Sequence, residues 1–102
     1  MSRLVVSEAA HADLDDILDY LSAVLCNPAA ATALADAVLR AYRRIQDHPA
    51  SSPICAHPRL AALGYRKAPV RNYLFVYRHI PEEDTVFVAR FFHQSRNYAD
   101  LL

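Results

Sequence analysis

The hydrophobic period of this chain changes at Gly64, the single glycine among its 102 residues. Before it, Ala10, Leu14, Ile17, Leu21 and Val24/Leu25 recur at three- and four-residue intervals, and so do Ala31, Leu34, Val38, Ala41 and Ile45. That spacing gives each segment one apolar stripe and predicts two helices. After it come Tyr65–Val70, Tyr73–Ile80 and Thr85–Phe92, runs rich in β-branched and aromatic residues that predict strands. Helices gathered in one half and strands in the other define an α+β fold.

Local signals fix the connections. Leu4-Val5-Val6 is a short β-prone run that ends at Ser7, a good N-cap for a helix opening with Glu8. Asn27-Pro28 breaks the chain between the two helical stripes, with Asn as cap and Pro at the first helical position of a helix running to about Asp47. So short a link makes a helical hairpin. Residues 48–63 hold Pro49, Pro53 and Pro58 and predict a surface loop, with one helical turn near Leu60–Leu63. Pro81-Glu82-Glu83-Asp84 joins the last two strands as a hairpin. Pro69 lacks an N–H, so its strand is either at a sheet edge or broken there. Ser95–Leu102 is expected to form a short helix or a tail. The order is βααβββ in one domain, residues 1–102, with the helical hairpin packed on one face of a small, mostly antiparallel sheet. The other sheet face is expected to be free to bind.

Composition narrows the class. Hydrophobic residues make up 54% of the chain, enough for one real core. No apolar run approaches the ~18 residues that span a bilayer. No basic segment leads into an apolar one near Met1, so a cytoplasmic protein without membrane contact is expected. Cys26 and Cys55 are too few for a disulfide framework, and the scattered histidines match no zinc spacing. No metal or other cofactor is expected. Gly-rich phosphate loops and nucleophile elbows are absent from the sequence.

Net charge is zero but unevenly laid out. Glu8, Asp13, Asp15, Asp16, Asp19 and Asp36 face a single base, Arg3, in residues 1–36. Arg40, Arg43, Arg44, Arg59, Arg66, Lys67, Arg71 and Arg78 face a single acid, Asp47, in residues 40–78. One acidic and one basic surface are expected. Asp13, Asp16 and Asp19 are read as solvated. On the middle strand, Leu74, Val76 and Ile80 look like core, while Tyr73, Phe75, Tyr77 and His79 form an amphipathic face that could line a cleft. Arg90 interrupts an apolar run, which suits either a partner surface or pairing with an acid. His93, Arg96 and Tyr98 follow the last strand. A histidine able to take a proton beside a cation able to stabilise a phosphorane is compatible with metal-free RNA cleavage.

An ordered set of residues resembles the RelE/ParE superfamily of toxins from type II toxin–antitoxin systems. It runs from Ser7, Ala10, Asp13, Ile17, Tyr20 and Leu21 through Asn27-Pro28, Ala30-Ala31 and Pro49. It continues with Gly64-Tyr65-Arg66-Lys67, Val70, Asn72-Tyr73-Leu74 and Tyr77, and ends with Val86, Val88, Arg90, His93 and Arg96-Asn97-Tyr98. The resemblance implies a small toxin neutralised by a cognate antitoxin, with operator DNA reached only through that antitoxin. RelE-like members cut messenger RNA on the ribosome, whereas ParE-like members poison DNA gyrase. Leu74 and Ala68 stand where a RelE-like nuclease would carry cations, which favours the ParE-like reading and a topoisomerase target. If the chain is a nuclease instead, His93, Arg96 and Arg66 are the expected catalytic residues. Arg40, Arg43, Arg44, Lys67, Arg71, Tyr73, Tyr77, Arg90 and Tyr98 are the expected contacts to target or antitoxin. An inactive binding module that kept the fold is the remaining alternative.

Overall fold

The computed structural model describes residues 1–95. Residues 96–102, which hold most of the expected tail together with Arg96 and Tyr98, lie outside the described residues. Strand β1 (Arg3–Val6) leads into helix α1 (Glu8–Asp19) and a π-helical turn, Tyr20–Val24. Helix α2 (Pro28–Asp47) and a short α3 (Pro58–Ala62) follow, then β2 (Tyr65–Val70), β3 (Tyr73–Ile80) and β4 (Thr85–His93). The sheet order is β1-β4-β3-β2. β1 runs parallel to β4, and the other pairs are antiparallel. The expected α+β arrangement stands.

Ser7 begins α1 by accepting the Ala10 N–H at 2.9 Å. Its hydroxyl also donates to the Ala89 carbonyl at 2.7 Å, tying the helix start to β4. α1 does not run to Leu25 as an α-helix. In the π turn the Leu25 N–H reaches back to the Tyr20 carbonyl at 3.0 Å. The extra residue per turn rotates the stripe away from the core, leaving Val24 65% and Leu25 53% exposed. Cys26 then reverses the chain at φ +50°, and the Asn27 side chain accepts the Ala30 N–H to open α2.

The helices cover the sheet face that carries Ala68, Val70, Phe75, Tyr77, Val86, Val88 and Phe91. Leu34, Val38, Ala41 and Ile45 of α2 pack there as their spacing predicts, joined by Tyr42. The face of β3 expected to line a cleft is therefore the one the helices cover, while Leu74 and Val76 are buried as expected, on the other face. Phe75 and Tyr77 form the main core, and the Tyr77 hydroxyl donates to the Pro49 carbonyl at 2.8 Å. Leu74, Val76 and Phe92 face the other way into a second cluster with Cys55, Leu60 and Tyr65. The opposite sheet face is thus not free. The proline-rich loop and α3 close it, because Cys55 and Leu60 supply the apolar cover. The loop also docks on the β2 edge, where Cys55 N–H donates to the Tyr65 carbonyl and Lys67 N–H to the Pro53 carbonyl, each at 3.0 Å.

A bulge interrupts the β3–β4 ladder. Val76 pairs with Arg90 but Tyr77 pairs with Val88, so Ala89 has no opposite number. The alternation resets there. Val86, Val88 and then Phe91 meet the helices, and Arg90 is re-aimed toward α1.

Candidate functional site

β1 ends at Val6, opposite Val88. The edge of β4 beyond that point would present unpaired backbone, a hazard that folds normally cover. α1 crosses this edge and covers it with side chains. Besides Ser7, Asp13 accepts the Phe91 N–H through Oδ2 at 3.0 Å. The same carboxylate takes both prongs of Arg90, with Nε at 2.7 Å and Nη2 at 3.1 Å. The hydrogen bond to Asp13 raises the Arg90 pKa above its ordinary value, against the lowering effect of burial. Arg90 also lies 5.6 Å from the centre of the Phe92 ring. Of the two readings left open for Arg90, pairing with an acid is the one realised. Asp13 is correspondingly not a solvated acid.

This pair floors a cleft of about 330 Å³, walled by Asp16, Ile17, Tyr73 and His93. The Tyr73 and His93 rings meet edge to face at 5.3 Å. A second cleft, about 430 Å³, lies on the other side of Tyr73. Leu21, Ala30 and Leu34 form its apolar wall, and Arg71 and Asn72 of the β2–β3 turn form its rim. The candidate site is this pair of clefts divided by one tyrosine.

His93 has a defined hydrogen-bond environment. The Ser95 backbone N–H donates to His93 Nδ1 at 3.2 Å, and the Ser95 hydroxyl lies 2.8 Å from the same atom. Nδ1 is therefore an acceptor, and the neutral ring carries its proton on Nε2. In that tautomer the outward nitrogen is a donor.

Among the described residues, the remaining expected site residues Arg66, Arg40, Arg43, Arg44, Lys67 and Tyr77 do not gather here. Arg66 pairs with Tyr77, whereas His93 pairs with Tyr73. Four residues of β3 separate those positions, roughly 13 Å along the strand, and the two residues lie on strands flanking β3. The Arg66 guanidinium donates to the Ser52 carbonyl at 2.7 Å. Arg40, Arg43 and Arg44 are exposed in the second half of α2, at least ten residues beyond Ala30. Measured from Leu34, the nearest α2 residue of the cleft wall, that is about 9 Å or more along the helix axis. Lys67 lies on the β2 strand at the docked loop. Tyr77 is 0% exposed, so it offers no surface to a partner and its expected binding role is withdrawn. The basic half of the sequence thus distributes over several surfaces. Among the described residues no three His, Cys, Asp or Glu side chains are grouped to hold a metal ion, and no helix is long and apolar enough to cross a membrane.

With fold and clefts in view, the likenesses to known proteins fall into place. Residues 4–98 match the family described as the ParE toxin of the type II toxin–antitoxin system parDE. The chain belongs to that family, and the class it defines is the toxin half of a type II toxin–antitoxin pair. The fold is similar to a chain of the chromosomal ParDE system from P. aeruginosa, with TM-score 0.71 and 20% identity, covering 91% of this chain and 96% of that one. It is also similar to a chain of the RelBE2 toxin–antitoxin complex from Mycobacterium tuberculosis, with TM-score 0.65 and 21% identity over 93% of each chain. The intact E. coli RelBE complex supplies a third likeness, at TM-score 0.59 and 17% identity, covering 94% of this chain and 100% of that one. No curated protein sequence matches.

Proposed function

We propose that this toxin acts by gripping a protein, DNA gyrase or another topoisomerase, and that a cognate antitoxin neutralises it by direct binding. The observation that carries the reading is the separation of two of the three expected nuclease residues, Arg66 and His93, Arg96 lying outside the described residues. Cleavage at a ribose would need a base and cations around one phosphate. Here Arg66 is held by Ser52 at the far end of β3 from His93. Arg90 is already neutralised by Asp13. His93 keeps its Nδ1 as an acceptor for Ser95. What remains around Tyr73 is a pair of partly apolar clefts of the kind that takes protein side chains.

Expression without the antitoxin should arrest growth, and normal growth at verified soluble expression would end the toxin reading. Purified protein should inhibit supercoiling by gyrase or trap cleaved DNA. Messenger RNA on translating ribosomes should stay intact. His93→Ala should keep most of the growth arrest, whereas removing a positioned general base costs roughly 10²- to 10⁴-fold in rate. A His93→Ala variant that is folded but harmless, together with cut messenger RNA from the wild type, would replace this reading by ribosome-dependent mRNA cleavage.

A further inference from the structure

The turn between β2 and β3 is built against its own sequence preference. Val70 pairs with Tyr73, so Arg71 and Asn72 are the two loop residues of a hairpin. Such loops need a positive φ at the first position, which Gly or Asn usually supplies. Here arginine takes it, at φ +55°, and the asparagine that would accept it more readily stands second. Side chains held in this region cost stability and gather at functional sites.

Gln94 holds the turn in place. Its backbone N–H donates to the Asn72 carbonyl at 2.9 Å. Its side-chain amide donates to the Arg71 carbonyl at 2.6 Å and to the Tyr73 carbonyl at 3.2 Å. The clamp engages only the Arg71 backbone. The Arg71 side chain is exposed, and among the described residues its guanidinium has no hydrogen bond, ion pair or ring contact. It stands at the rim of the larger cleft, whose wall is Leu21, Ala30, Leu34 and Tyr73.

We propose that Arg71 is a specificity anchor: its strained turn and the Gln94 clamp hold an exposed guanidinium at the rim of a cleft with an aliphatic wall, to take one carboxylate of an apolar segment of the antitoxin. The inference rests on the antitoxin reading above and adds the residue that discriminates. The cleft selects its occupant by two demands at once. A purely apolar segment would bury the guanidinium without a partner, which is costly. A nucleic-acid strand would bring phosphates but nothing to cover the aliphatic wall. An apolar segment carrying one acid meets both demands, and an arginine fork is suited to a carboxylate. In the neighbouring cleft across Tyr73 the Asp13–Arg90 pair cancels and leaves Asp16, so that side carries an acid where this side carries Arg71. The bound segment therefore has a direction, with its acid over Arg71 and its other end toward Asp16.

Calorimetric titration with the purified product of the reading frame adjoining the toxin tests this. Arg71→Asn removes the cation but tolerates the left-handed backbone. It should lower affinity about tenfold or more and weaken the salt dependence, with the loss mainly in a faster off-rate. Its melting temperature should equal or exceed the wild type's, which separates lost recognition from lost folding. Arg71→Lys should recover part of the affinity. Arg3→Asn, which removes the same charge at the opposite edge of the sheet, should stay within about twofold. A tight wild-type complex that Arg71→Asn leaves unchanged would overturn the anchor and spare the antitoxin reading. No binding by the wild type would overturn both.

Discussion

Tyr73 and Tyr77 lie on the same face of the same strand, four residues apart, and do opposite things. Tyr77 is 0% exposed, packed beside Phe75, and its hydroxyl is used up by the Pro49 carbonyl. Tyr73 is half-buried, touches His93 and divides two open clefts. The surroundings make the difference. Around Tyr77 the ladder is flanked by the loop docked on β2 and by β1 on the far side of β4. Around Tyr73, β1 has already ended, and side chains, Ser7 and Asp13 among them, cover the β4 edge. One end of the sheet therefore holds the fold together, while the other leaves side chains free to meet a partner. A strained Arg71 is tolerable only at the open end.

The largest expected effect would break this contrast if it failed. Tyr77→Ala should destabilise the protein by about 3–5 kcal/mol, the range for truncating a buried aromatic residue. That is a large share of the ~5–15 kcal/mol that holds a typical domain. Tyr73→Ala should cost well under half as much in urea unfolding and still remove growth arrest and antitoxin binding. Equal losses of stability from the two would mean that the ends are not mechanically distinct.

The Asp13–Arg90 pair sharpens the comparison, since it is the strongest fastening at the open end. Arg90 is 35% and Asp13 19% exposed at the side chain, so water screens part of their attraction. The Phe91 N–H depends on the same carboxylate. Asp13→Ala should cost about 1–2 kcal/mol, between the value of a surface pair and that of a buried one. Arg90→Ala should cost less, because the carboxylate keeps its backbone partner. Thermal unfolding of both single variants and the double variant should give a favourable coupling energy. Zero coupling would reduce the pair to an incidental surface contact.

Sequence periodicity placed both helices and all four strands, because each element carries its own spacing and punctuation. It did not reveal which face of β3 is which. Leu74/Val76 and Phe75/Tyr77 are both apolar enough for a core, and only the loop over the second face decides the matter. The Ala89 bulge was equally invisible, since it is a property of the pairing and not of one strand. The Asp13 anchor did leave a trace. Asp13 falls among Ala10, Leu14 and Ile17 and so lies within the buried stripe of α1, where a lone acid needs a cation, and Arg90 is the cation inside a strand. Arg71 was expected as a contact, but its left-handed conformation left no trace, because it follows from the register of two strands. Of the nuclease set His93, Arg96 and Arg66, the separation of His93 from Arg66 was hidden because sequence order does not measure distance along a ladder, and Arg96 lies outside the described residues.

A third tyrosine tests the same logic at the smallest scale, through the sign of the effect. Tyr42 of α2 is 8% exposed and packs edge-on against Phe75 and Phe91. Among the described residues its hydroxyl is the buried side-chain polar group without a hydrogen-bond partner. An unsatisfied buried hydroxyl costs roughly 1–3 kcal/mol. Tyr42→Phe should therefore raise stability by up to about 1 kcal/mol, or roughly 4–8 °C in melting temperature for a domain of this size. Tyr77→Phe, which strands the Pro49 carbonyl, should lower stability by a similar amount. pH supplies a second readout. Burial pushes the Tyr42 phenol well above its ordinary value. The folded state thus holds that proton while the unfolded state releases it above about pH 10. Stability from this group is complete below that pH and falls as pH rises beyond it, and Tyr42→Phe should flatten the alkaline decline. A Tyr42→Phe variant less stable than the wild type would mean that the hydroxyl is satisfied in solution, and a decline as steep as the wild type's would trace it to other groups.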